Sequence, residues 1–95
     1  YRLVDKEIEP IFLDLKNILS KTKNDSTAED IQTEIYELGK QYNKDNLKEF
    51  FKIIYQVLLG QDQGLRLGSF IVLYGLSRTI NLIERALKKE NLSSL

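Results

Sequence analysis

The residues best suited to chemistry gather in one stretch, GQDQGLRLG at 60–68. Arg66 stands there in a frame of Gly60, Gly64 and Gly68, beside Gln61, Asp62 and Gln63. A guanidinium is a planar fork of donors that matches phosphate oxygens and base edges. Glutamine amides add short hydrogen-bonding groups of the kind that read unstacked bases in single-stranded RNA. A plainer role stays open, in which Arg66 caps the carbonyls of the preceding helix or pairs with Asp62. Lys44, Lys48 and Lys52 recur at i, i+4, and Gln56 extends the row. On a helix that spacing puts the ammonium groups on one side. They form either a stripe that a polyanion would meet or an ordinary solvated polar face.

Catalysis has few actors here. The 95 residues include no histidine and no cysteine, the usual general base, thiolate and soft metal ligands. Glu7, Glu9 and Asp14 cluster near the start, but paired-carboxylate chemistry needs a cleft and perturbed acidity, and carboxylates on a helix surface are common. GQDQGLRLG lacks the Lys-Ser/Thr of a phosphate loop and follows no strand, and Asp62 alone cannot build a calcium loop. The sequence therefore assigns no catalytic, cofactor-binding or metal-ligating residue, and points to binding.

The aromatic residues divide. Phe50, Phe51 and Phe70 lie on apolar stripes and are expected in the core. Tyr36, Tyr42, Tyr55 and Tyr74 can each keep a wet hydroxyl edge. Tyr36 falls off its helix's apolar face and is the best candidate for exposed stacking.

These residues need a scaffold, and the chain reads as helical nearly throughout. A first helix is expected from Asp5 to Leu19, where Ile8, Ile11, Phe12, Leu15, Ile18 and Leu19 keep helical spacing. Pro10 belongs in its first turn or marks a kink. Ser26 with Glu29 reads as a capping box opening a second helix over 27–42, striped by Ala28, Ile31, Ile35, Leu38 and Tyr42 and weakened by Gly39. Asn43 or Asp45 is expected to cap a third over 46–59, with Leu47, Phe50, Phe51, Ile54 and Leu58 on one face, widened by Ile53, Tyr55 and Val57. Gly60 fits a left-handed stop. A fourth helix is expected over 67–74, closed by Gly75, although FIVLY has strand propensity. Ser77 would cap a fifth over 78–89, with Ile80, Ile83, Ala86 and Leu87 buried. The fold class is all-α, a compact bundle of about five helices in one domain, 1–95.

At 42% apolar and 29% charged residues the composition is that of a soluble globular domain. No apolar run approaches the ~20 residues that span a bilayer and no secretory signal is visible, so no membrane is expected. The missing cysteines fit a reducing compartment and a cytoplasmic location. Net charge is zero, yet residues 1–39 carry five basic and nine acidic side chains, and 40–95 carry nine and five. That asymmetry hints at a C-terminal half facing a polyanion. The chain starts at Tyr1 and contains no methionine, which reads as a fragment of a longer protein.

The pattern Phe50-Phe51-x-x-x-Tyr55-x-x-Leu58-Leu59-Gly60-x-x-x-Gly64-x-Arg66-x-Gly68-x-Phe70, then Leu73-x-Gly75, resembles the C-terminal helical region of class I lysyl-tRNA synthetases. IQTEIYELGKQY also resembles the helix leading into it, and the likeness runs from Ala28 to Leu87. The family usually has Pro where this chain has Leu65. Class I glutamyl-tRNA synthetases share a related pattern. Tyr55 before Leu58-Leu59-Gly60, with the Arg66-x-Gly68 pair, favours the lysyl enzyme.

The resemblance implies an α-helical, noncatalytic anticodon-binding domain of cage type. The HIGH and KMSKS signatures would lie in an earlier catalytic domain that uses ATP to join lysine to its tRNA. The implied partner is a lysine tRNA, with no DNA. On that reading the residues singled out above are expected to supply the contacts: Lys44, Lys48 and Lys52 to phosphates, and Arg66, Gln61 and Gln63 to splayed bases. A helical protein-interaction module, with FIVLYG forming a groove for a partner helix, is the alternative outside the synthetases.

Overall fold

Pro10 decides where the first helix begins. Its ring cannot donate to a preceding turn, and α1 spans Glu9–Lys21 with Pro10 in the opening turn. The Asp5 carboxylate accepts hydrogen bonds from the amides of Glu7 and Ile8, so residues 5–8 form a turn rather than helix. The structure, a computed structural model, describes residues 2–89. It contains α1, α2 (Ala28–Asn43), α3 (Leu47–Leu58), α4 (Leu67–Tyr74) and α5 (Leu76–Leu87), with no strand among the described residues.

The all-helical expectation holds, and several ends move. The capping box on α2 is Thr27 with Asp30, one residue later than Ser26 with Glu29: the Asp30 amide donates to Thr27 Oγ1, and the Thr27 amide to the Asp30 carboxylate. Asn46 itself caps α3, accepting from the Glu49 amide. Gly60 takes a left-handed φ of 68° after α3, as a helix stop requires. Gly75 both ends α4 and opens α5, so α5 begins before Ser77.

The core is built from Val4, Ile8, Phe12, Leu15, Leu19, Ile31, Ile35, Phe50, Ile54, Leu67, Ile71 and Ile83, with others beside them. Phe51 and Phe70 are only half-buried at its margin, and Tyr42 is exposed rather than core. On α5 the buried set is Thr79, Leu82, Ile83 and Ala86; Ile80 and Leu87 are half-buried. Buried Thr79 is satisfied by donating to the Gly75 carbonyl. α2 packs against α4 and α3, and α1 against α5. Two glycines allow these approaches. A Cβ on Gly39 would meet the Phe50 ring at 2.8 Å, and one on Gly68 would meet the Ala28 carbonyl oxygen at 2.1 Å. Gly39 is thus a packing site, whatever it costs in helix propensity. No helix among the described residues is long and apolar enough to cross a membrane.

Candidate nucleic-acid interface

The loop between α3 and α4, residues 60–66, is pinned at two points. Tyr55 donates its hydroxyl proton to the Leu65 carbonyl at 2.7 Å, and Gln56 donates to the Asp62 carboxylate at 2.9 Å. Gln56 also accepts from Arg2 and is therefore a structural tie rather than a free member of the basic row. Burial pushes the Tyr55 pKa up, and the Arg66 charge pulls the other way. A neutral phenol at physiological pH is the form that donates to Leu65. The residue standing where the resembled family has Pro is thus held by a hydrogen bond to its carbonyl.

Those two ties shape a groove of about 390 Å³ between α3 and the loop, lined by Lys48, Phe51, Lys52, Tyr55, Asp62 and Gln63. Lys48 is exposed and Lys52 half-buried, and neither side chain forms an ion pair or hydrogen bond among the described residues. Two unneutralised ammonium groups therefore face one side of a concave surface. Its floor is aromatic, from Phe51 and Tyr55. Asp62, the acid in the groove, is engaged by Gln56. Cations over aromatic surface suit a nucleic-acid backbone with unstacked bases.

The predicted residues are only partly brought together. Lys48, Lys52 and Gln63 share the groove. Lys44 does not join the α3 stripe, because it caps the end of α2 and precedes Asn46, where α3 starts. Gln61 is exposed and lies outside the groove lining, its backbone amide bonded to the Tyr55 carbonyl. Arg66 is exposed at the start of α4 and its side chain makes no hydrogen bond or ion pair among the described residues, so neither the helix cap nor the Asp62 pair forms. It lines a small crevice with Ala28, Glu29, Gln32 and Ser69, while acting electrostatically on Tyr55 of the groove. Tyr36 is exposed as expected, with the Lys40 ammonium 5.0 Å from its ring centre. The sequence placed Phe51 in the core and gave Tyr55 only a wet hydroxyl edge, so their part in lining the groove was missed. Lys48, Lys52 and Tyr55, at i, i+4 and i+7 on one helix face, carried the signal.

The chain is 45% identical over 74 residues to the lysine–tRNA ligase of Rickettsia felis. The chain matches a region of lysyl-tRNA synthetases. The lysine–tRNA ligases of Rickettsia prowazekii and Rickettsia bellii are 40% and 41% identical over 87 residues. The matches take in 78–92% of this chain but only 14–17% of those relatives' length. No family model matches the chain, and no solved structure does.

Proposed function

We propose that this chain is the noncatalytic, anticodon-binding helical domain of a class I lysine–tRNA ligase, lying C-terminal to the catalytic domain of a longer cytoplasmic protein. The 45% identity to a lysine–tRNA ligase region carries the reading, and the unpaired Lys48 and Lys52 over an aromatic floor supply a matching surface. The partner is tRNA of the lysine isoacceptor class. The parent protein attaches lysine to it with ATP held in the catalytic domain, and this domain needs no cofactor. Lys48 and Lys52 take backbone phosphates, which set register without reading sequence. Lys44 adds a phosphate contact at the edge, and Arg66, Gln61 and Gln63 meet splayed bases. The named relatives are lysine ligases, which favours lysine over the glutamyl alternative. Charging of the full-length parent with each amino acid distinguishes the two.

Fluorescence anisotropy of the chain against a lysine tRNA transcript tests the reading. Binding should weaken steeply with salt, and Lys48→Ala with Lys52→Ala should flatten the log–log salt slope by about 2. Arg66→Ala should weaken binding further. Equal affinity and an equal slope in all these variants would refute the surface assignment. A second reading, a protein-interaction module, is favoured by the exposure of Val72 and Leu73 on α4. It requires a protein partner whose binding survives nuclease and is lost in Leu73→Asp.

A further inference from the structure

Phe70, Tyr74 and Arg78 fall at every fourth residue, from α4 into α5. Positions so spaced on a helix are neighbours on one face. The Phe70 and Tyr74 rings stack, with centres 5.2 Å apart and planes 14° from parallel. The Arg78 guanidinium continues the column, 4.4 Å from the centre of the Tyr74 ring. Both rings pack on the core and are only half-buried, and Arg78 is exposed. The Arg78 side chain has no ion pair or hydrogen bond among the described residues. Gly68 holds α4 down on α2 by its inner face, the Gly68 amide donating to the Gln32 side chain at 2.8 Å. The aromatic column is left half-buried at the margin of the core.

Free cations alone would suit any polyanion. Stacked rings ending in a guanidinium add π-surface, which a paired duplex cannot use because its base faces are already stacked. Unpaired RNA offers both a base face and flanking phosphates. We propose that the Phe70–Tyr74–Arg78 column is a stacking platform for an unpaired RNA base, the Arg78 guanidinium taking a neighbouring phosphate. The proposal rests on the RNA-binding reading above and divides the labour within it. The Lys48/Lys52 groove supplies charge, and the column prefers unpaired RNA to paired.

The experiment uses a hairpin RNA with 2-aminopurine in its loop and a fully paired duplex of the same length. Each is titrated with the chain and with Tyr74→Leu, Arg78→Gln and Lys48→Ala. Tyr74→Leu should weaken hairpin binding roughly 5- to 100-fold, remove the 2-aminopurine quench and leave duplex binding unchanged. Arg78→Gln, at an exposed position outside the core, should weaken the hairpin several-fold and keeps the test decisive if Tyr74→Leu fails to fold. Lys48→Ala should weaken both RNAs alike. If the folded Tyr74 and Arg78 variants bind and quench like the parent chain while Lys48→Ala weakens both RNAs, the column is only structural and the RNA-binding reading survives. If the unaltered chain binds neither RNA, both readings fall.

Discussion

Gly68→Ala tests whether close helix packing or helix propensity governs α4. Propensity favours alanine by up to about 1 kcal/mol. Packing opposes it, because the added methyl would lie 2.1 Å from the Ala28 carbonyl oxygen and 3.0 Å from the Gln32 amide nitrogen and Cβ. These are mostly backbone atoms of α2, with no flexible side-chain end to swing aside. Relief requires α4 to move off α2, which loosens the buried contacts of Leu67 and Ile71 and stretches the Gly68–Gln32 hydrogen bond. Overpacking costs about 1–3 kcal/mol and the weakened bond about 0.5–1.5 kcal/mol. Against the propensity gain, the net loss is about 2 kcal/mol, the middle of a range of about 0.5–3.5 kcal/mol. In a domain this size a loss of about 2 kcal/mol lowers the melting temperature by roughly 8–16 °C. Gly64→Ala is the internal control. Its Cβ would meet Gln61, Tyr55 and Leu59 atoms at 3.5–3.8 Å, ordinary contact distances, so the change should stay within about 0.5 kcal/mol. Thermal melts followed by far-ultraviolet circular dichroism measure both. A Gly68→Ala chain that melts at or above the temperature of the parent would refute the packing argument.

Three further outcomes can be checked. Thr27→Ala removes the hydroxyl of the α2 capping box and should cost about 1 kcal/mol in urea unfolding, while Ser26→Ala should be nearly neutral; equal losses would return the cap to Ser26. Tyr55→Phe deletes the bond to the Leu65 carbonyl and should destabilise by about 0.5–1.5 kcal/mol while speeding protease cleavage within 61–65, and unchanged cleavage would show that the loop is held otherwise. Burial, then the hydrogen bond to Asp14 and the charge of that carboxylate, push the Tyr42 pKa up to about 12 from 10.0. Between those values the unfolded chain has lost a proton that the folded chain keeps, so stability should fall as pH rises through that window. The fall should be shallower in Tyr42→Phe by urea midpoints at stepped pH, and identical slopes would remove Tyr42 from the account.

Element existence was legible because apolar spacing is a collective signal. Ile11, Phe12, Leu15 and Leu19 repeat one pattern, and no single misread residue erases it. Ends depend on one or two groups, and there the chain is ambiguous. In STAED both Ser26…Glu29 and Thr27…Asp30 fit a capping box, and the side-chain reach of Asp30 back to the Thr27 amide separates them only in three dimensions. FIVLY was a strand by propensity. It is helical because Gly68 lets α4 approach α2 closely enough to bury Leu67 and Ile71, a tertiary effect that local preference cannot report. Thr79 was invisible as a core residue because its hydroxyl finds the Gly75 carbonyl within its own helix.

Both partial misses at the candidate interface come from assuming where a helix is continuous. Lys44, Lys48 and Lys52 form a stripe only if one helix runs through all three, and the cap at Asn46 cuts the first away. The opposite error hides the aromatic column. Gly75 reads as a boundary, so residues on its two sides are not compared. Yet Gly75 ends one helix and opens the next with no residue between, and the four-residue repeat passes through it far enough for Arg78 to meet Tyr74. Spacing across a helix break is informative when the break is a single residue and the flanking helices touch, as α4 and α5 do. A repeat counted across Gly75 therefore finds Arg78, and one counted across Asn46 places Lys44 on a helix that starts after it. Three loop residues, Lys44, Asp45 and Asn46, separate α2 from α3.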